Sequence, residues 1–314
     1  MLTFNRADAT AWYRSVGISK DLEKQMGAQV EIVDQNKVTL NWSIIWPYDL
    51  IMIQRPQDKE TLSDAYRIKD MGIPIWIDYD DDMLNIHPQH YYAAYYNLNK
   101  HLFEQFIKLA DVVTVSTESI RNSFAHLNDN IHVVLNGIPE AMMQRRHEQT
   151  DTITWRGSIS HLPDLFGYSI EVQRLIDEGN EIKFMGVNPY FLGKYKLVQE
   201  RDLFQYFAWL KSERPKILFV PLIEHLFNVG KSNIAWIEAT MCGAVCVAQN
   251  MIEWQKPGIV TFDNPKNFYN VMKKAIKTYD LKALYNQSYD YITENLTVEK
   301  LNKKRISALE TVLK

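Results

Sequence analysis

The sequence alternates short apolar runs with amphipathic stretches, and it does so in two successive series. Strands separated by helices are typical of parallel βαβ units. The predicted strands cover 48–54, 73–78, 111–116 and 131–136 in the first series, and 151–156, 181–185, 217–221, 244–248 and 258–262 in the second. This pattern predicts an α/β protein with two Rossmann-like, doubly wound domains that face a central cleft.

The chain of 314 residues is long enough for two such domains. We place the first domain at 1–147 and the second at 148–285, with a hinge near 140–150. Residues 286–314 read as C-terminal helices, for which packing back on the first domain is one expectation. Ligands of open α/β sheets bind at the carboxyl ends of the strands, so the functional residues are expected in the loops that follow them.

Charge and cysteine content argue against several classes of protein. Residues 1–150 carry 14 Lys and Arg against 20 Asp and Glu, and the remainder carries 21 against 18. A protein that wraps duplex DNA is usually more basic. With only Cys242 and Cys246, both in an apolar stretch, neither a disulfide framework nor a structural zinc site is expected, and the cytoplasm is the predicted location. No apolar run has the length of a membrane span, and no signal peptide or strand-linked Gly-x-Gly-x-x-Gly motif is present.

The most informative segment is PLIEHLFNVGKSNIAWIEA at 221–239, which reads as strand, polar loop and helix. Ser232 or Asn233 is a plausible first residue of that helix. Helix N-termini attract phosphate through free amides and the helix dipole, and Lys231 adds a full positive charge. Glu238 falls about one and a half turns inside the helix, where a carboxylate needs hydrogen-bond donors. A ribose or sugar diol would supply them; a solvated glutamate on a routine helix is the alternative.

A second turn of this kind opens the second domain. Gly157 and Ser158 follow the strand 151–156, with Arg156 before them and His161 after them. The segment could bind phosphate, or it could be only a tight turn. Two such turns in matching positions of one sheet favour a shared ligand.

The third signal is an acidic run directly after the strand 73–78, made of Asp78, Asp80, Asp81 and Asp82. Carboxylates this close repel one another, so some of their pKa values should rise unless a cation or hydrogen bonds offset the repulsion. Three interpretations stay open: an Asp-x-Asp metal site, an acceptor-binding loop, and a solvated acidic loop. We favour the acceptor-binding loop because the phosphate-binding groups are predicted in the other domain.

Together these motifs resemble GT-B glycosyltransferases of the GT4-like kind, including compact members from phages. The resemblance covers most of the chain but rests on a few short motifs: Phe227-Asn228, Lys231-Ser232, Glu238-Ala239, the apolar strand after Gly243, the acidic run 78–82 and the opening segment 11–17 with its Tyr-Arg pair. It implies a GT-B fold and sugar transfer from a nucleotide sugar, in the first place a UDP-sugar, with retention of configuration and without a metal ion or other cofactor.

The resemblance also implies residue roles. In that family the glutamate matching Glu238 holds the ribose, and amides at the helix start hold the diphosphate. The family's usual earlier glutamate falls on Gly230, and Glu224 is a candidate substitute. The implied sites are, for catalysis, Lys231, Glu238 and Arg156; for the donor, Gly157, Ser158, His161, Asn228, Ser232 and Asn233; and for the acceptor, Arg14, Asp78, Asp80, Asp81 and Asp82.

The acceptor stays open at this point. A hydroxymethylated base in phage-type DNA is the first hypothesis, from the likeness to compact phage members, although the acidic first domain argues against it. Transfer to a surface polysaccharide, teichoic acid or glycolipid is the second. A non-catalytic nucleotide-sugar-binding protein is the third. No stable membrane insertion is expected, and a phage-encoded enzyme would act in the host cytoplasm.

Overall fold

The computed structural model describes residues 1–3, 8–34, 48–146, 148–199 and 201–313. Within these ranges it contains two six-stranded sheets whose paired strands all run parallel. The first has the order β2-β1-β3-β4-β5-β6, built from β1 (Leu2–Thr3), β2 (Val33–Asp34), β3 (Ile51–Gln54), β4 (Ile75–Tyr79), β5 (Val112–Val115) and β6 (Ile131–Val133).

The second sheet has the order β12-β11-β10-β7-β8-β9. Its strands are β7 (Thr150–Gly157), β8 (Ile182–Gly186), β9 (Lys196–Gln199), β10 (Pro215–Val220), β11 (Val245–Gln249) and β12 (Val260–Phe262). The predicted architecture of two doubly wound α/β domains is therefore confirmed. The boundary predicted at 147/148 falls between β6 and β7 and remains a prediction.

Helices connect the strands of both sheets. The α-helices are Ala9–Ala11, Gly17–Met26, Lys59–Asp70, Ala93–Leu98, Lys100–Leu109, Glu118–Phe124, Leu162–Phe166, Ser169–Asp177, Leu203–Glu213, Leu226–Val229, Ile234–Cys242, Pro265–Lys277, Leu281–Asn295 and Val298–Leu309; a π-helical turn spans Trp12–Val16, and 3₁₀ turns span Glu140–Met142, Ile159–His161 and Ile252–Trp254. Several begin at a side-chain cap: Asp58 accepts from the Thr61 amide at 2.8 Å, and Asn264 from the Asn267 amide at 2.9 Å. Such caps satisfy amides that the helix itself leaves free.

Three strands were not predicted from the sequence. β1 and β2 have two residues each, too few for a periodic pattern, and β9 is an edge strand whose residues are mostly exposed. Two predicted elements also differ in extent. The sequence also predicts one helical stretch from about 88 to 109, where the structure has two helices that meet at Asn99. The polar loop predicted before the helix Ile234–Cys242 contains the additional helix Leu226–Val229.

The C-terminal helix Val298–Leu309 crosses back to the first sheet. Its Val298 and Leu309 pack in one buried cluster with Ile18 and Leu22 of the helix Gly17–Met26. The crossing lies against the earlier connection between the sheets: the Ile138 amide donates to the Leu296 carbonyl at 3.1 Å, and the Val298 amide donates to the Ile138 carbonyl at 3.0 Å. Two adjacent chain segments therefore join the two halves.

Candidate functional site

A cleft of about 1060 Å³ lies between the two sheets and is lined by residues of both halves. From the second half it is lined by Trp155–His161, Met185–Val187, Arg201–Leu203, Tyr206, Val220–Leu222, Lys231, Ser232, Ile234, Ala235, Glu238 and Trp254; from the first by Asp8–Thr10, Gln54, Arg55, Gln57, Asp80, Asp81, His90, Tyr92 and Tyr96. Many of these residues lie at or just after the carboxyl ends of β3, β4, β7, β8 and β10, where ligands of such sheets bind. The cleft is the candidate active site.

Glu238 is almost fully buried at the base of the cleft and is held by three donors. The Tyr13 hydroxyl donates to Oε1 at 3.0 Å, the Tyr206 hydroxyl donates to Oε2 at 2.9 Å, and the Arg156 guanidinium lies 2.7 Å from Oε2. Burial, followed by the charge of Glu238, raises the pKa of Tyr206 well above its usual value, so this phenol stays a donor. The alternative of a solvated glutamate is therefore wrong. The protein itself supplies hydrogen-bond donors to Glu238, whereas the sequence predicts that a ribose or sugar diol supplies them.

Lys231 makes an ion pair across the cleft. Its Nζ lies 2.7 Å from Oδ1 of Asp81 and 4.4 Å from the centroid of the Phe227 ring. Arg55 binds the other oxygen of Asp81 at 3.2 Å. Burial alone would raise the pKa of Asp81, but Lys231 and Arg55 outweigh it and lower that pKa, so the carboxylate is charged. The positive turn and the acidic run are thus in direct contact.

The turn after β7 is fixed to the loop after β10 by one carboxylate. Asp164 lies 3.2 Å from Nδ1 of His161 and accepts from the Ile223 amide at 3.1 Å and from Nδ2 of Asn228 at 2.7 Å. Arg156 and Lys231 place positive charge on the second-half side of the cleft, where the turn at Gly157 and the start of the helix Ile234–Cys242 also line it. An anion such as a diphosphate fits this side.

Gly186 ends β8 beside the turn at Gly157 and has a left-handed φ of 99°. A Cβ added at Gly186 would lie 2.4 Å from the Gly157 carbonyl oxygen, an impossibly close contact with backbone. We expect Gly186→Ala to destabilise the protein by roughly 2–4 kcal/mol through strain at positive φ and displacement of the turn. Thermal unfolding measures this loss. Gly179→Ala is the control, since φ is also positive there but no atom lies within 4 Å; equal losses in both variants would contradict the argument.

Three residues predicted on the acceptor side have structural roles instead. Arg14 and Asp78 are fully buried and form a two-pronged ion pair with contacts of 2.8 and 2.7 Å. Asp82 accepts from the Leu84 amide at 3.1 Å and from the Asn85 amide group at 2.8 Å, which closes the loop after β4. None of the three lines the cleft. The error arose because adjacent carboxylates after a strand point in different directions, which spacing alone does not show.

Two residues predicted to bind the donor also lie outside the cleft lining. Asn228 is bound to Asp164, and Asn233 donates to the Glu253 carbonyl at 2.9 Å. Glu224, the candidate substitute for the family's earlier glutamate, is exposed and outside the lining as well. The remaining predicted donor residues, Gly157, Ser158, His161 and Ser232, do line the cleft. Tyr206 was missed, because nothing in its sequence marks it as a partner of Glu238.

Metal binding and membrane insertion were both considered from the sequence. Within the described ranges, no group of three His, Cys, Asp or Glu side chains is arranged to hold a metal ion. In the same part of the chain, no helix combines the length and apolarity that crossing a bilayer requires.

Known structures share this architecture. A glycosyltransferase from Rickettsia africae ESF-5 matches with a TM-score of 0.65 at 12% identity, over 98% of this chain and 96% of that one. Anabaena HepE, solved in complex with UDP-glucose, matches with a TM-score of 0.66 at 13% identity, over 93% and 88%. TarM from S. aureus matches with a TM-score of 0.61 at 14% identity, over 82% of this chain and 54% of that one. No protein-family model and no curated protein matches the sequence. This chain therefore has the two-domain GT-B fold of these glycosyltransferases.

Proposed function

We propose that this protein is a glycosyltransferase that binds a UDP-sugar in the cleft and transfers the sugar to an acceptor hydroxyl. The observation that carries the proposal is the convergence of Arg156, Lys231, the turn at Gly157 and the start of the helix Ile234–Cys242 on one side of that cleft. A leaving diphosphate gains negative charge as its bond to the sugar breaks, and fixed positive groups stabilise that charge. Anabaena HepE, which shares the fold, was solved with UDP-glucose.

We assign Lys231 and Arg156 to the diphosphate, Glu238 to the ribose, and Gly157, Ser158, His161 and Ser232 to the donor surface. Oε1 of Glu238 accepts one hydrogen bond, from Tyr13, and retains a lone pair for a ribose hydroxyl. The resemblance to GT4-like enzymes adds retention of configuration and transfer without a metal ion. In this proposal, Lys231 and Arg156 stabilise the leaving diphosphate, which is the role of the metal ion in metal-dependent enzymes.

Binding of the donor is tested by thermal unfolding with UDP-glucose, UDP-galactose, UDP-N-acetylglucosamine and GDP-mannose. A ligand that binds only the folded state stabilises it by about 2.7 kcal/mol at a concentration of 100 Kd. We expect one UDP-sugar to raise the Tm of the protein. We also expect the protein to hydrolyse that UDP-sugar slowly in water, with release of UDP. Failure of every nucleotide sugar to shift the Tm would contradict the proposal.

Catalysis separates a transferase from a protein that only binds a nucleotide sugar. Mass spectrometry of the acceptor detects transfer, NMR of the new linkage gives its anomeric configuration, and turnover in EDTA tests independence of metal. The first acceptor hypothesis is DNA with a hydroxymethylated base, and the negative net charge of the first domain argues against it.

A further inference from the structure

We propose that the acceptor is an uncharged sugar, held on the first-domain side of the cleft by Asp80 and by the ring of Tyr92. This rests on the glycosyltransferase function proposed above and specifies its acceptor class. Three independent observations carry it: a carboxylate oxygen without a donor, an exposed aromatic wall, and the charge of the surface around them.

Asp80 differs from its acidic neighbours, because one of its oxygens is unused. The residue is 9% exposed and lines the cleft, and its Oδ1 has no hydrogen-bond partner among the described residues. The nearest cation, the Arg55 guanidinium, is 3.9 Å away, beyond hydrogen-bond distance. Burial, and then the charge of Asp81, raises the pKa of Asp80 to about 6. A buried carboxylate oxygen without a donor is costly, and a ligand hydroxyl would supply the donor.

An aromatic wall, made of His90, Tyr91, Tyr92 and Tyr96, runs from the cleft into solvent. His90, Tyr92 and Tyr96 line the cleft. The ring of Tyr92 lies 6.2 Å from that of Tyr96 and 4.8 Å from that of Tyr91, centroid to centroid. Tyr91 and Tyr92 are 62% and 50% exposed. Exposed aromatic groups beside a cleft are typical of ligand-binding surfaces.

The chemistry of this surface fits a sugar. One face of a pyranose ring presents C–H groups, which pack on the electron-rich face of an aromatic ring. Its edge presents hydroxyls, which donate to a carboxylate or an amide oxygen. The aromatic wall offers ring faces, and Gln54, Gln57 and Asp80 line the same side of the cleft. The first-domain side of the cleft can therefore stack on a sugar ring and bind the hydroxyls of the same ring.

The charge of the surface favours an uncharged acceptor over a polyanion. Three carboxylates from the first domain line the cleft, Asp8, Asp80 and Asp81, against one cation from that domain, Arg55; Asp81 is paired with Arg55 and with Lys231, and no free lysine or arginine among the described residues of the first domain lines this side. Residues 1–150 carry six more acidic than basic groups. DNA and teichoic acid are recognised by way of their phosphates, which require lysine and arginine side chains. An uncharged glycan meets no such repulsion.

The acceptor class is tested with the donor that gives the largest Tm shift. Uncharged acceptors are p-nitrophenyl glucosides, galactosides and N-acetylglucosaminides, cellobiose and lactose; charged ones are duplex DNA with hydroxymethylcytosine and a poly(glycerol phosphate). UDP release above hydrolysis and product mass are measured. We expect transfer to at least one uncharged sugar. Preference for either polyanion, or transfer to no uncharged sugar, would overturn the acceptor class, whereas intact donor binding and hydrolysis would leave the proposed function standing.

Two variants test the residues. Tyr92→Ala should raise the acceptor KM roughly tenfold without changing the donor KM, and Tyr92→Phe should restore it, because stacking uses the ring and not the hydroxyl. Asp80→Asn should lower kcat/KM for the acceptor by about 10- to 100-fold at an unchanged donor KM. The control is Tyr66→Ala, a 47% exposed tyrosine outside the cleft lining. An acceptor KM unchanged in Tyr92→Ala would refute the role of the wall.

Discussion

Replacing Glu238 by alanine is expected to lower kcat/KM for the UDP-sugar by at least about 100-fold. The variant loses the carboxylate proposed to hold the ribose, and it leaves Arg156, Tyr13 and Tyr206 without their common acceptor. Arg156 is partly buried and loses its only carboxylate partner among the described residues, so the guanidinium should leave the diphosphate position as well. Steady-state kinetics measure the loss, and calorimetry with UDP separates weakened binding from slowed chemistry.

Two variants refine this result. Glu238→Gln keeps the shape but brings an N–H group towards phenols that are themselves donors, and its activity should fall between wild type and alanine. Glu178→Ala is the matched control, because Glu178 also accepts from a tyrosine, Tyr269, and pairs with a cation, Lys273, but lies outside the cleft lining. Wild-type turnover in Glu238→Ala would remove Glu238 from the site.

Replacing Lys231 by alanine is expected to lower kcat by roughly 100-fold or more, because it removes a full positive charge from the side of the cleft assigned to the leaving diphosphate. Lys231→Arg should recover part of this loss, since the charge is kept while its position shifts. Lys273→Ala serves as the control for removing a paired surface lysine of the same domain. Single-turnover rates measure the effect on the chemical step.

The ion pair between Lys231 and Asp81 allows a sharper distinction. If Lys231 served only to hold Asp81, then Asp81→Asn would be as damaging as Lys231→Ala, and the double variant would be no worse than either. If Lys231 binds the diphosphate, Asp81→Asn should cost much less kcat than Lys231→Ala. Equal kcat losses in both single variants would refute the assignment of Lys231 to the leaving group.

Local pattern was sufficient to predict two α/β domains with parallel sheets. The strand β4 reads IWIDY, an apolar run that ends in polar residues. The helix Ile234–Cys242 can be recognised in the sequence because a polar loop precedes its apolar residues. The order of such runs determines a doubly wound sheet, because each connection has to return over the sheet. Strands without a run, such as β1 with two residues, obtain their place from pairing, which sequence pattern does not record.

The site could be predicted only in part, for the same reason. Sequence pattern indicated which loops reach the cleft, and it placed Lys231 and Arg156 there. It did not indicate partners, because these lie far apart in the chain: Arg14 and Asp78 are 64 residues apart, and Tyr13 and Glu238 are 225 apart. Which of several adjacent aspartates faces a ligand depends on such partners. Asp78 was therefore assigned to the acceptor although its carboxylate is already used.

The backbone hydrogen bonds between Ile138 and the segment Leu296–Val298 bear on how the enzyme can move. Further contacts join the same two halves: Trp12 and Tyr13 pack in one buried cluster with Phe207 and Trp236, and the Thr117 hydroxyl donates to the Gly230 carbonyl at 3.1 Å. A relative movement of the halves therefore has to break these contacts as well as the ion pair between Lys231 and Asp81.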